Sequence, residues 1–176
     1  MLGAGPHGSL PSLAVATNPP IDLVLTPLGA EGRPLSDWLT TFHMATVVLD
    51  PYTNESSWIL KTAVRVLDGF RDSHARVSLT VTADADDTRA FLGPIADRFL
   101  VYCDPDRAAV RAYGLGALPA FVFMSVDGNV VASAEGWNSA EWRAVAQEIA
   151  RWTKWQAPAI PAAGDPGPFR GSAALG

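Results

Sequence analysis

From residue 20 onward the chain alternates short apolar runs with amphipathic stretches. Met44 to Leu49 (MATVVL) is apolar almost without a break, the pattern of a strand buried on both faces. Ile21 to Leu25, Arg76 to Thr82 (RVSLTVT) and Leu100 to Tyr102 read as further strands. Ala120 to Ser125 and Val130 to Ala134 flank Asp127-Gly128-Asn129, and an Asp-Gly pair between apolar runs signals a hairpin. Ile59, Ala63, Leu67 and Phe70 recur at helical spacing, which predicts a helix over Ser56 to Phe70 after a polar loop from Asp50 to Glu55. Pro34 to Phe42 reads as a short helix after a turn at Gly29 to Gly32. Asp86 to Phe99 reads as a helix weakened by Gly93 and Pro94, and another opens at Asp104 or Pro105 and runs to Tyr113. The last helix is capped by Asn138 with Glu141 three residues on, and Trp142, Val145, Ile149 and Trp152 form its apolar stripe. Strands alternating with helices, closed by a hairpin and a helix, predict an α/β fold with a mixed central sheet flanked by helices.

Composition changes this picture mainly at the ends. Residues 1–19 and 157–176 mix Gly, Pro, Ser and Ala without periodicity, so both are expected to be disordered tails around one domain over 20–156. The second tail has an alternative as a partner-binding arm. Apolar residues make up 48% and charged residues 18%, which is a globular balance. A net charge of −5 with no Lys/Arg run argues against nucleic acid and against an anionic membrane surface. No apolar stretch approaches the roughly 20 residues of an integral membrane segment. Met1 to Asn18 lacks Lys, Arg and a long apolar run, so no secretory signal is expected and the default compartment is cytoplasmic. The one cysteine, Cys103, excludes an internal disulfide.

Several motifs fall in a recognisable order: Cys103-Asp104-Pro105-Asp106, Arg111-Ala112-Tyr113-Gly114-Leu115, Ala117-Leu118-Pro119-Ala120-Phe121-Val122-Phe123 and Asp127-Gly128-Asn129-Val130-Val131. This string resembles the second half of thioredoxin-like proteins, in the branch that holds peroxiredoxins and bacterial thiol–disulfide oxidoreductases. The likeness covers Ile21 to Trp155 and is clearest from Leu100. It implies that Pro119 is the cis-proline shaping the substrate groove, and that the redox position follows the central strand at the start of the next helix. There a helix N-terminus would stabilise a thiolate. Asp50 matches the buried acid six residues before the first cysteine, but Ser56-Ser57-Trp58-Ile59 stands where Cys-x-x-Cys belongs. Thr53-Asn54-Glu55-Ser56 likewise has serine where peroxiredoxins carry Thr-x-x-Cys. A serine hydroxyl cannot form a disulfide or reduce a peroxide.

Each remaining candidate has a plain structural alternative. Cys103 reads as a packing residue at a strand end, with mixed-disulfide chemistry as the alternative; nearby Asp104 and Asp106 disfavour a thiolate. Ser56 reads as a helix cap, with a nucleophile or thiol-orienting hydroxyl as the alternative. His43 and His74 fall at the amino ends of strands, away from the site, and His7 lies in the first tail. Asp84, Asp86 and Asp87 lack calcium-loop spacing and read as a solvated helix start, and the scattered histidines give no zinc pattern. Trp58 is either space-filling or an exposed partner anchor; Trp137 and Trp155 are open in the same way.

With the redox positions Ser56 and Ile59 degenerate, the expectation is a redox-inactive protein-binding module, not an enzyme, with no cofactor and no metal. The groove expected to receive an extended peptide is formed by Tyr52, Thr53, Trp58, Leu118 and Pro119. Non-redox members of the resembled group include accessory factors for metalloenzymes and subunits of larger complexes, so the partner is a protein or a larger complex, with a homo-oligomer compatible. The alternatives are a thiol–disulfide oxidoreductase or peroxiredoxin-like enzyme using Cys103, and a groove that binds a small thiol beside Ser56.

Overall fold

The uninterrupted apolar run of Met44 to Leu49 is explained by its place at the centre of the sheet. In the computed structural model, which describes residues 16–176, this run belongs to strand β3 (His43–Leu49). Ala45, Val47 and Leu49 face one apolar layer, and Met44 and Val48 face the other. A strand covered on both faces has no solvent side and needs no polar alternation. The one polar residue near its centre, Thr46, meets the hydroxyl of Thr80 at 2.8 Å, so neither buried hydroxyl is left without a partner.

Around β3 the other elements follow in chain order. The strands are β1 (Val24–Pro27), β2 (Arg33–Pro34), β4 (Ala75–Val81), β5 (Leu100–Cys103), β6 (Ala117–Leu118), β7 (Ala120–Met124), β8 (Val130–Glu135) and β9 (Ser172–Ala173). The helices are α1 (Leu35–Trp38), α2 (Asn54–Asp68), α3 (Ala85–Leu92), α4 (Ala108–Ala112) and α5 (Ser139–Thr153). One sheet has the order β2-β1-β5-β4-β3-β7-β8, and β6 pairs with β9 in a separate ladder. β3, β4 and β5 are parallel; β7 runs antiparallel to β3, and β8 to β7. The predicted α/β class and mixed sheet are therefore present.

α2 and α5 cover one face. Ile59, Ala63, Leu67 and Phe70 are all fully buried, as their spacing predicts. Asn138 caps α5 by accepting from the Ala140 and Glu141 N–H groups. The buried stripe of α5 runs through Trp142, Val145, Ile149 and Thr153, so Trp152 falls on its shoulder and is 40% exposed. α1 and α4 cover the opposite face with Leu35, Trp38, Val110 and Tyr113.

Element ends depart from the sequence reading for local reasons. The first strand begins at Val24, because the Leu23 N–H closes a turn onto the Pro20 carbonyl. α3 stops at Leu92, where Gly93 takes φ +55° and a 3₁₀ turn through Pro94 follows. α4 starts at Ala108: Asp104 caps it from outside, its carboxylate accepting from the Ala109 and Val110 N–H groups.

The largest difference lies in the ends. Residues 1–15 of the expected first tail lie outside the described residues, but Ala16 to Asn18 are pinned by the Ser133 hydroxyl, the Tyr113 carbonyl and Asn129. Residues 157–176, expected to be a disordered tail, instead form a strap with specific contacts. Ile160 is buried, and its carbonyl accepts from Arg143 at 2.8 Å. The Asp165 carboxylate takes hydrogen bonds from Thr62 at 2.8 Å, from the Ala162 N–H at 2.7 Å and from Arg65 at 2.8 Å. Trp137 donates to the Pro166 carbonyl at 2.7 Å and exchanges backbone bonds with Phe169. The low-complexity composition hides this because the strap is held mostly through its backbone, which composition does not report.

Burial alone would raise the Asp165 carboxyl, but the Ala162 N–H, Thr62 and Arg65 donors outweigh it and hold it below its ordinary value. A lowered carboxyl stabilises the fold above the ordinary value of 3.8 and loses that contribution as pH falls below it. Asp165→Asn should cost about 1–2 kcal/mol at pH 7. Urea unfolding of the variant beside the natural chain, from pH 7 to pH 3, should show that difference shrink in acid.

Candidate functional site

The parallel strands β3, β4 and β5 end on the same edge of the sheet, and that edge carries the chemistry-bearing residues. Asp50 follows β3 directly and is 2% exposed. Its carboxylate accepts from the Tyr52 N–H at 3.0 Å and from Arg107 at 2.9 Å. Both members of the Asp50–Arg107 pair are largely buried, with side chains 3% and 17% exposed. Arg107 takes φ +57° on the turn before α4, and its other terminal nitrogen donates to the Ala174 carbonyl at 2.6 Å. One guanidinium thus ties the end of β3 to the strap. Arg107 is a residue that sequence reasoning missed; a lone Arg in a turn 57 positions from Asp50 carries no local signal.

Ser56 sits in the first turn of α2, not at its cap. Thr53 holds the cap position, and its hydroxyl donates to the Asp50 carbonyl at 2.9 Å. The Ser56 hydroxyl is fully buried and accepts from the Asp50 N–H at 2.8 Å, which closes the loop between β3 and α2. Ile59 is also fully buried. Ser56 and Ile59, the two positions that the sequence resemblance would assign to a dithiol pair, are therefore both sealed from solvent.

The other expected groove residues divide into two sets. Tyr52 and Trp58 are 64% and 56% exposed. Tyr52 donates through its hydroxyl to Asp87, and this bond pushes the phenol up to about 12. Trp58 meets Phe169 of the strap edge-on at 5.6 Å between ring centres. Leu118 and Pro119 are buried, and the bond between them is cis. The pairing of Val48 with Ala120 places Pro119 beside the end of β3. The backbone just before it is taken by the strap: Ala117 pairs with Ala173 and Leu118 with Ser172.

Cys103 does not join this group. It ends β5, two strands from β3, and lines a cleft of about 720 Å³ with Asp84, Asp104, Asp106 and Glu31 among its walls. Burial pushes its thiol up, partly offset by Thr88 and Arg89. Of the three expected acids at a helix start, Asp84 caps α3 by accepting from the Asp87 N–H at 2.9 Å. His43 accepts from the Val126 N–H at the far end of β3, and its backbone N–H donates to the His74 carbonyl. Among the described residues no group of three or more His, Cys, Asp or Glu side chains is arranged to hold a metal ion. No described helix is long and apolar enough to cross a membrane.

No protein-family model and no curated protein matches this sequence. Solved structures do. Peroxiredoxin Q of Xanthomonas campestris superposes with a TM-score of 0.63 at 16% identity, covering 78% of this chain and 97% of that one. A secreted disulfide oxidoreductase of Mycobacterium tuberculosis gives 0.58 at 16%, covering 74% and 96%. The exposed lipoprotein thioredoxin of Streptococcus pneumoniae gives 0.59 at 18%, covering 74% and 98%. The fold is thus thioredoxin-like, of the kind shared by peroxiredoxins and bacterial thiol–disulfide oxidoreductases. With one cysteine in the chain, the Cys-x-x-Cys pair is absent.

Removing Arg107 would leave Asp50 buried and unpaired, a change that typically costs several kcal/mol. Arg107→Met should lower stability by about 3 kcal/mol, and adding Asp50→Asn should restore most of that loss. Urea midpoints of the natural chain, the single variant and the double variant check both parts.

Proposed function

We propose that this chain is a protein-binding module on a thioredoxin-like fold, acting as an accessory factor or a subunit of a larger complex without dithiol chemistry of its own. One observation carries the proposal. Ser56 and Ile59, which the sequence resemblance would assign to the dithiol, are fully buried and bear no thiol, while Tyr52 and Trp58 on the same loop and helix face solvent. A large exposed tryptophan that rests against Phe169 of the strap suits recognition of another chain. The proposal includes a cytoplasmic site of action, which fractionation of the native host tests directly, and it leaves a second copy of the chain among the candidate partners.

Affinity capture of the tagged chain from its host, with and without reductant, tests it. A stoichiometric partner should persist under reductant, and Trp58→Ala should lower its recovery several-fold while the fold stays intact. Recovery unchanged by Trp58→Ala removes this groove from the proposal.

A second reading rests on Cys103, because its thiol lines the 720 Å³ cleft and could form mixed disulfides there. The raised thiol argues against fast reaction at neutral pH. Iodoacetamide should modify Cys103 at least ten-fold more slowly in the native chain than in urea. Equal rates, or partners lost with reductant and with Cys103→Ser, would favour thiol chemistry instead.

A further inference from the structure

We propose that residues 171–176 are a built-in ligand of the peptide groove, seated where an extended segment of a partner would pair and displaced when one binds. This deepens the proposal above and rests on it, since it concerns the same groove.

The placement is specific. Ser172 and Ala173 run antiparallel to Leu118 and Ala117, the two residues before Pro119. The Ala174 N–H donates to the Gly116 carbonyl at 3.1 Å, and its carbonyl accepts from Arg107. This is strand addition to a free backbone edge, with the mates supplied by the same chain. The seat selects small residues. Ala174 is 1% exposed, and the Ser172 hydroxyl lies over the Leu118 carbonyl. Two glycines permit the approach. Gly171 takes φ +89°, and a β-carbon there would stand 2.6 Å from the Leu118 carbonyl oxygen. Gly136 takes φ +70° opposite the Arg170 carbonyl, where a β-carbon would collide.

The seat is also weakly held compared with the sheet. β9 is two residues long, its ladder is separate from the main sheet, and Ala173, Leu175 and Gly176 are exposed. Short ladders with exposed neighbours open locally at low free-energy cost. The occupant that would replace it is an extended protein segment with small side chains at alternate positions, matching Ser172 and Ala174. Tethering gives the internal segment a millimolar effective concentration, so an external segment sees an affinity reduced by the fraction of open groove.

The test uses an acetylated, amidated peptide of residues 168–176, titrated by NMR into three proteins: the full chain, the chain ending at Arg170, and full-length Gly171→Val. The Gly171→Val chain keeps its full length and unseats the segment by its clash with the Leu118 carbonyl. In both altered proteins the peptide should shift the Ala117 and Leu118 amides saturably, with a Kd at least ten-fold lower than in the full chain. Equal binding in all three overturns the internal-ligand proposal and leaves the groove a peptide site. Absence of binding in altered proteins that retain native spectra overturns both.

Discussion

The Asp50–Arg107 ion pair is the contact through which the central strand, the turn before α4 and the strap depend on one another. It lies where β3 ends, with both charges largely withdrawn from water. A buried carboxylate must be matched by donors, and here it receives one from Arg107 and one from the Tyr52 N–H. The guanidinium in turn has donors to spare, and one reaches the Ala174 carbonyl. Asp50 also organises the loop into α2 through its backbone, with Ser56 and Thr53 bonded to its N–H and carbonyl. The acid that the family resemblance associates with tuning a thiol has a structural task here without one.

This arrangement gives the edge of the sheet a different character from a dithiol site. A dithiol site needs an accessible sulfur near a helix N-terminus. Here Ser56 and Ile59, which the sequence resemblance would assign to such a site, are an inward hydroxyl and an inward isoleucine, and the exposed groups are the aromatic rings of Tyr52 and Trp58. The remaining backbone edge, before Pro119, is paired with residues of the strap. There the chain's own extended segment is held by backbone hydrogen bonds.

Much of the fold was legible because its signals are local. The apolar run of β3, the stripe of α2, the Asp-Gly hairpin and the Asn138 cap each depend on residues within a few positions of one another. Element ends were less legible, since Gly93 and the left-handed turn at Arg107 act through backbone angles set by their neighbours. Of the residues expected to form a groove, Tyr52 and Trp58 are exposed while Leu118 and Pro119 are buried, and Cys103 stands apart at the end of β5.

The sequence by itself determined that the core is a mixed sheet between helices, and that no cysteine pair exists to carry redox chemistry. Periodicity and residue identity suffice for both, because each is a property of short stretches or of a count. Only the tertiary structure decided that Asp50 pairs with Arg107, that Ser56 points inward, and that a Gly- and Pro-rich strap pairs with the backbone before Pro119. The ion pair and the strap rest on hydrogen bonds between groups tens of positions apart, many of them from backbone atoms that every residue carries. A pattern of side chains cannot announce a partner chosen by the backbone.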